Sequence, residues 1–457
     1  MTLIAEKFLD ISSQKSFEIP HRDIINHNIG KYDLAVERGL SRLINLDYAK
    51  KKSHLIKWKV MENLDKLLPE FEANFQKKGG KVLWANTIEE ANNEILNIIK
   101  KVNAKSVIKS KSMVTEEIHL NEFLESNGIT SLESDLGEYI VQLLGQKPYH
   151  IVTPAMHLSK ENIADLFHEK FGTPKDATPE QLVQKARALL REKYLTADIG
   201  ITGANFLIAD TGSIAITENE GNARLTTTFP KIHIAIVGIE KMIPSLADLD
   251  LFWPMLSTHG TGQNLTVYNT ILSGPRQANE TDGPEEMYVI LLDNGRTELL
   301  AQKEQRQGLY CIRCGACLNG CPVYKNIGGH TYDTTYSGPI GSIITPHLKG
   351  MKEFKHLSYA SSLCGKCTEV CPVKIDIHKM LLFNRRDAVE QKLTTSAEGW
   401  GWYFWKKGML KRSLMDRFGG KFKNSILKKF FNKTWGEKRV LPDVAPKSFS
   451  KTWKENH

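Results

Sequence analysis

The run Cys311-Ile-Arg-Cys314-Gly-Ala-Cys317-Leu-Asn-Gly-Cys321-Pro322 spaces its cysteines as C-x2-C-x2-C-x3-C-P. This is the spacing of two-cluster ferredoxins, in which the fourth cysteine serves the other cluster. Reach explains it: two-residue gaps let one tight turn aim three thiolates at one cubane, while the three-residue step and the proline carry the fourth sulfur away. Gly315 lets the backbone approach the sulfides and donate N–H bonds. A second run, Ser361-Ser-Leu-Cys364-Gly-Lys-Cys367-Thr-Glu-Val-Cys371-Pro372, repeats the last three cysteines with Ser361 in the place of the first.

Crossing the ligands as that pattern requires assigns Cys311, Cys314, Cys317 and Cys371 to a complete 4Fe–4S cluster. Cys321, Cys364 and Cys367 are left for a second. Three sulfurs hold either a 3Fe–4S cluster or a 4Fe–4S cluster whose remaining iron takes Ser361, a histidine such as His330, water or a partner's side chain; the sequence leaves these open. Structural zinc needs four ligands and has no use for a third two-residue step, so the spacing argues against it.

All seven cysteines of the 457 residues stand between 311 and 371. Clustering and an odd count favour metal binding over disulfides and point to a reducing compartment. The N-terminus, MTLIAEKFLDISSQKSFEIP, is polar where a secretory signal is apolar, and no apolar run approaches the roughly 18 residues of a membrane span. The expected location is cytoplasmic, with possible peripheral attachment at the inner membrane face. Composition is ordinary for a globular protein, 41% hydrophobic and 25% charged, and the length suits two or three domains.

The spacing of Leu55, Ile56, Val60, Leu64, Leu67 and Leu68 predicts an amphipathic helical element over residues 1–78. From Lys81 to about Asn294 strand-like runs alternate with helical ones: KVLWA, TIEEANNEILNIIKK, SVIKS, VTEEIHLNEFLESNG, a strand near SLESDL, then YHIVTPAM. That rhythm predicts βαβ units in an α/β domain over 79–300. Thr87 with Glu90 reads as a capping box, and Ser159 as a second helix cap. The stretch from Ile199 to Pro244 predicts two or three adjoining strands with tight turns, hence a mixed sheet. A helix from Thr297 to about Gln307 leads into a two-cluster domain over 301–395, followed by a helix in IDIHKMLLFNRRDAVEQKL and a tail over 396–457. We find no internal repeat of 20 to 50 residues.

With the cysteines placed, further segments become recognisable: KSKSMVTEEI (109–118), DLGEYIVQL (135–143), ADTGSIAITENEGNARL (209–225), PKIHIAIVGIEK (230–241), SGPR (273–276) and DGPEEMYVILLDNGR (282–296). Together with CIRCGACLNGCPVY and SSLCGKCTEVCPVKI, the chain over nearly its whole length resembles the lactate utilization protein B family. The resemblance implies that the serine at 361 is a family feature. It also implies a middle domain similar in fold to sugar-phosphate isomerases and CoA transferases, and an iron–sulfur subunit of a three-part bacterial system oxidising L-lactate to pyruvate. The expected partners are the other subunits of that complex and a quinone- or membrane-linked acceptor. No catalytic residue follows from the resemblance.

Read physically, the turn Glu218-Asn219-Glu220-Gly221-Asn222-Ala223-Arg224 offers backbone N–H groups and a guanidinium to a small carboxylate. Lys109, Lys111, Arg276 and Arg296 are further candidate anion contacts. The bland alternative is a strand connection with Arg224 in a surface pair. Glu218 and Glu220 also stand where CoA transferases of similar fold keep a nucleophile, and an acyl or CoA transferase with structural clusters, or a redox-sensing interaction protein, are the rival readings. His150, His157, His233 and His259 lie in or beside apolar runs and are expected to be structural. The chain shows no G-x-G-x-x-G dinucleotide fingerprint.

The net charge of +9 is concentrated at the end: residues 401–457 hold 15 Lys/Arg against 4 Asp/Glu. Residues 400–457 also hold five of the eight tryptophans. Such a tail suits a partner subunit or a membrane surface better than nucleic acid, for which no binding module is present.

Overall fold

The computed structural model describes residues 2–435 and 440–457. Residues 1–387 form one compact unit and residues 388–457 another. Ten strands are seen among the described residues: β1 (Lys81–Ala85), β2 (Ser106–Lys109), β3 (Thr130–Glu133), β4 (Ile199–Thr202), β5 (Phe206–Ile208), β6 (Ser213–Glu218), β7 (Ile232–Gly238), β8 (Met242–Ile243), β9 (Tyr268–Leu272) and β10 (Glu286–Leu292).

Six of them make a wholly parallel sheet in the order β1-β10-β7-β4-β2-β3. β7 is buried at every position and β10 at all but its first. Continuous apolar runs of this kind mark strands covered on both faces. Successive side chains point to opposite faces, so Ala235, Val237, Val289 and Leu291 join one core while Ile234, Ile236, Ile290 and Leu292 join the other. The expected mixed sheet is thus divided. The antiparallel pairs β5–β6 and β6–β9 lie in a second, four-stranded sheet ordered β8-β5-β6-β9. Residues 199–244 supply five strands rather than two or three, with the helix Asn222–Thr228 between β6 and β7. At the β5–β6 turn Gly212 has φ +53, and a Cβ there would fall 2.2 Å from the Phe75 nitrogen. Only glycine lets the helix Leu64–Gln76 pack that closely.

Three local expectations are met only in part or not at all. YHIVTPAM is a compact turn, because His150 Nδ1 accepts from the nitrogens of Val152 and Thr153 and Tyr149 N donates to the Pro154 carbonyl. Thr87 does cap its helix through Glu90 N at 3.2 Å, but Glu90 reaches back to Asn86 N, so the box is half closed. At Ser159 a full box forms with Asn162. The helix after Asn294 runs only from Arg296 to Ala301, and residues 305–310 form a 3-10 turn.

The N-terminal segment folds as four helices, Leu3–Lys15, Ile19–Leu40, Leu46–Met61 and Leu64–Gln76. The break at residues 62–63 resets the apolar register, which leaves Leu55 at 47% exposure while Val60, Leu64 and Leu68 are buried. On the third helix Lys50, His54 and Lys57 share one face by their four- and three-residue spacing. Lys50 Nζ donates to the Glu369 carbonyl at 2.9 Å and His54 Nδ1 to that of Val373 at 2.9 Å, while Lys57 Nζ donates to the Glu240 carbonyl at 2.6 Å. One helix therefore ties the second cysteine run to the end of β7.

Just past β10, Arg296 is 1% exposed and lies between two equally buried glutamates. It donates to Glu117 through Nη1 at 2.9 Å and Nη2 at 2.7 Å, and to Glu240 through Nε at 2.5 Å. Tyr336 Oη and Asn294 Nδ2 also donate to Glu117. Arg296 is accordingly a structural cation and not the anion contact its sequence position suggested. Replacing Arg296 with Met strands two buried carboxylates; we expect a loss of ~3–5 kcal/mol in urea denaturation. The arginine contacts hold Glu240 at about 2, well below its ordinary 4.5. This contribution is present above pH 4.5 and fades as pH falls toward 2.

Candidate metal centre and adjoining cleft

The two cysteine runs fold as matching loops fifty residues apart. Arg313 and Leu363 take φ of 62° and 54°, and Gly315 and Gly365 both take 81°. Each glycine starts a short helix, Ala316–Asn319 and Lys366–Glu369. Left-handed backbone at Arg and Leu costs energy and persists only where the surroundings demand it. Cys311 Sγ accepts from Arg313 N at 3.4 Å, and Ser361 Oγ accepts from Leu363 N at 3.1 Å. Ser361 therefore occupies in the second loop the place of Cys311 in the first. This is a single duplicated loop, a local match too short to register as a sequence repeat.

Cys311, Cys314, Cys317 and Cys371 line one small cavity, walled otherwise by aliphatic side chains such as Ile151, Ile340, Val373 and Ile377, and by Arg313. Cys321, Cys364 and Cys367 form the second group: Cys364 bears on Cys321, and both bear on Cys367. Burial pushes Cys371 up to about 12 and Cys367 to about 11, and also raises Cys314 and Cys317, with neighbouring sulfurs adding to each rise. Four thiolates do not coexist in such a cavity without a cation to share. The donor set fits an iron–sulfur core, whose positive iron removes that penalty. Cys364 differs: it is exposed, and the Lys366 backbone N–H and the Ser362 side chain lower it. The second group thus has an exposed member, while those of the first are buried or half-buried.

His330 lies elsewhere in its contacts, with Nε2 2.7 Å from the Lys147 carbonyl and its ring against Tyr149 and His157. His157 also pairs with Gln146, His233 with Thr202 and His259 with the Met255 carbonyl. Burial pulls His150, His157 and His233 down to about 3, so all three are neutral.

A cleft of about 260 Å³ opens beside the first group of cysteines. Its floor is the loops after β2, β4 and β7, at the carboxyl ends of the parallel strands, where open α/β sheets bind ligands. Ser110, Lys111, Ser112, Asn205 and Lys241 contribute, and Arg313 and Cys314 close it from the cysteine side. The approach is tight: a Cβ on Gly260, in the helix Leu249–Thr261, would lie 2.9 Å from the Cys314 carbonyl.

Of the cationic side chains expected from sequence, Lys111 alone lines this cleft, beside Asn219, Asn222 and Ala223 of the expected turn. Lys109 is fully buried and paired with Glu133 at 2.7 Å, Arg276 pairs with Glu285 at 3.3 Å away from the cleft, and Arg224 is exposed outside it. Glu218 and Glu220 do line it. Both are engaged, however: Glu218 accepts from the nitrogens of Ala223 and Arg224, capping the helix Asn222–Thr228, and Glu220 from Leu136 N. Burial together with Asp135 lifts Glu220 to about 7. Their role as caps disfavours a transferase nucleophile. Lys241 and Arg313 were missed; the signal for Lys241 was a charged pair, Glu240-Lys241, one residue past a fully buried strand. Because Gly260 has no room, Gly260→Val should displace the Cys314 loop; after anaerobic gel filtration we expect the variant to retain less iron than wild type.

Comparison with known proteins gives the following. Residues 68–292 match the LUD domain and residues 307–375 the 4Fe-4S dicluster domain. The chain is 51% identical over 338 residues to lactate utilization protein B of Bacillus licheniformis, covering 74% of this chain and 71% of that one. It is 44% identical over 422 residues to lactate utilization protein B of a Geobacillus species, covering 88% and 87%. An uncharacterized electron transport protein of Escherichia coli, YkgF, is 44% identical over 411 residues, covering 87% and 86%. A crystal structure of a DUF162 family protein from Deinococcus radiodurans aligns with 50% of the chain and 98% of its own at a TM-score of 0.28 and 15% identity, which is too weak to carry an argument.

Proposed function

Because this chain belongs to the lactate utilization protein B family, we propose that it is the iron–sulfur electron-transfer subunit of a complex that oxidises L-lactate to pyruvate. The supporting observation is the grouping of seven thiols as four and three, with the four set against a cleft in the LUD domain. Cys311, Cys314, Cys317 and Cys371 would hold one 4Fe–4S cluster, and Cys321, Cys364 and Cys367 a second, with the Ser361 oxygen as its fourth ligand. When bound, such clusters take and release electrons singly.

The chain's own residues tune that centre. The nitrogens of Arg313, Tyr324 and Ile375 donate to cysteine sulfurs at 3.4 to 3.5 Å. Arg313 and Lys241 place positive charge near Cys311, whereas burial pulls Lys57 down to about 7. Both effects favour the reduced state. The exposed Cys364 side would be the exit toward an acceptor, and the enclosed side the entrance from the cleft.

The second unit carries the helices Ser396–Met409, Arg412–Met415, Gly420–Trp435 and Phe449–Asn456. Its Trp400, Trp402, Phe404 and Trp405 are each more than half exposed beside Lys406 and Lys407. No helix among the described residues is long and apolar enough to cross a membrane. We assign this unit to docking on a partner subunit or a quinone-bearing membrane face.

Prepared anaerobically, the protein should contain about eight iron and eight acid-labile sulfide. Mixed with its partner subunits and L-lactate, it should develop the EPR signal of reduced clusters, and Cys317→Ser should abolish lactate-dependent electron transfer. Transfer that survives Cys317→Ser would refute the reading. For the second site, Ser361→Ala should release one iron and leave an oxidised 3Fe signal; an unchanged iron count and spectrum would remove Ser361 from the ligand set.

A further inference from the structure

Where the cleft meets the first cysteine loop, it carries positive charge that the fold leaves unmet. Lys241 is 7% exposed, and its ammonium makes no hydrogen bond or ion pair among the described residues. The Arg313 side chain is 9% exposed, and its Nη1 is buried without a partner. Its Nη2 reaches Glu240 Oε1 at a long 3.4 Å, and the guanidinium lies over the Tyr336 ring at 4.3 Å. Glu240 cannot serve both cations, because its other oxygen is held by Arg296 at 2.5 Å. Lys241, Arg296 and Arg313 thus share two buried carboxylates, Glu117 and Glu240, while Lys57 is met by the Glu240 and Met242 carbonyls. Buried cations in excess of their partners are costly unless something meets them.

Lys241 and Arg313 both line the cleft, and we propose that it binds a small organic carboxylate, whose charged group is held between these two side chains beside Cys314. The cleft also holds Asp135, Glu218 and Glu220. A dianionic phosphate ester would meet those carboxylates, whereas a hydroxy or keto acid brings one charge for the cations and a neutral oxygen for Ser110, Ser112 or Thr217. The volume of about 260 Å³ is at the small end for ligand sites. This site deepens the reading given above and rests on it for the ligand's identity, while its existence rests on the unpaired cations.

A second source of negative charge is the first cluster itself, and the test separates the two. Full-length protein with assayed iron and sulfide is titrated calorimetrically with pyruvate, L-lactate and inorganic phosphate, and the reduced EPR spectrum is recorded with and without each. We expect pyruvate or L-lactate to bind and to perturb the spectrum, Lys241→Gln to weaken binding about tenfold or more, Lys241→Arg to retain it, and Arg224→Gln, outside the cleft, to leave it unchanged. Ser110→Leu, which fills the cleft without touching the cations, should also abolish binding and covers the case in which Lys241→Gln fails to load clusters. Absence of carboxylate binding to cluster-replete wild type overturns the proposal. So does equal binding by Lys241→Gln with only a spectral change, which assigns the charge to cluster compensation, or tighter binding of phosphate than of either acid. Lactate-dependent reduction in the assembled complex is a separate measurement, so the site and the functional reading can fail independently.

Discussion

Two buried glutamates and one arginine hold this molecule's parts in register. Arg296 follows β10, Glu240 follows β7, and Glu117 ends the helix after β2. Each alone would be an unaffordable charge in the interior, and together they satisfy one another. The same carboxylates reach outward, Glu240 to Arg313 between the first two cysteines and Glu117 to Tyr336. The sheet and the cysteine loops thereby share a single polar network, so the position of the first thiol group is set by the carboxyl ends of the strands. A cleft built from those strand ends is bound to open against the sulfurs.

The paired loops show how one backbone serves two environments. Both spend strain on a non-glycine left-handed residue and a glycine at φ 81°. The first is covered by the turn Tyr149–Pro154 and by the helix bearing Gly260, and none of its cysteines is exposed. The second has a sulfur at the surface and an oxygen where the other has its first sulfur. A nearly symmetric pair of loops thus gives two sites that differ in exposure and in the atom at one position.

Much of this was legible in residue order. The cysteine spacing led to an expected grouping of the thiols as four and three without reference to the rest of the chain, because it is a local constraint of reach. β1, β2 and β3 were visible as strand-like runs between helical patterns, and β7 fell in the stretch where adjoining strands were expected. The division into two sheets was not, since strand order depends on long-range pairing that periodicity does not encode. YHIVTPAM looked like a strand because its residues are β-prone, and a histidine accepting its own backbone decided otherwise. The cleft was hardest to see. Lys109 and Arg296 were as plausible as Lys241 on charge alone, and only packing reveals which cations already have carboxylates and which do not.

The third helix, Leu46–Met61, has its anchoring partners at Glu369 and Val373, some three hundred residues further along the chain. During synthesis it emerges early and cannot be seated until the last cysteine loop has left the ribosome. Closure of the N-terminal helices over the loops is therefore a late event in maturation. The third helix can take up its contacts with the second cysteine loop only after residues up to 373 have been made.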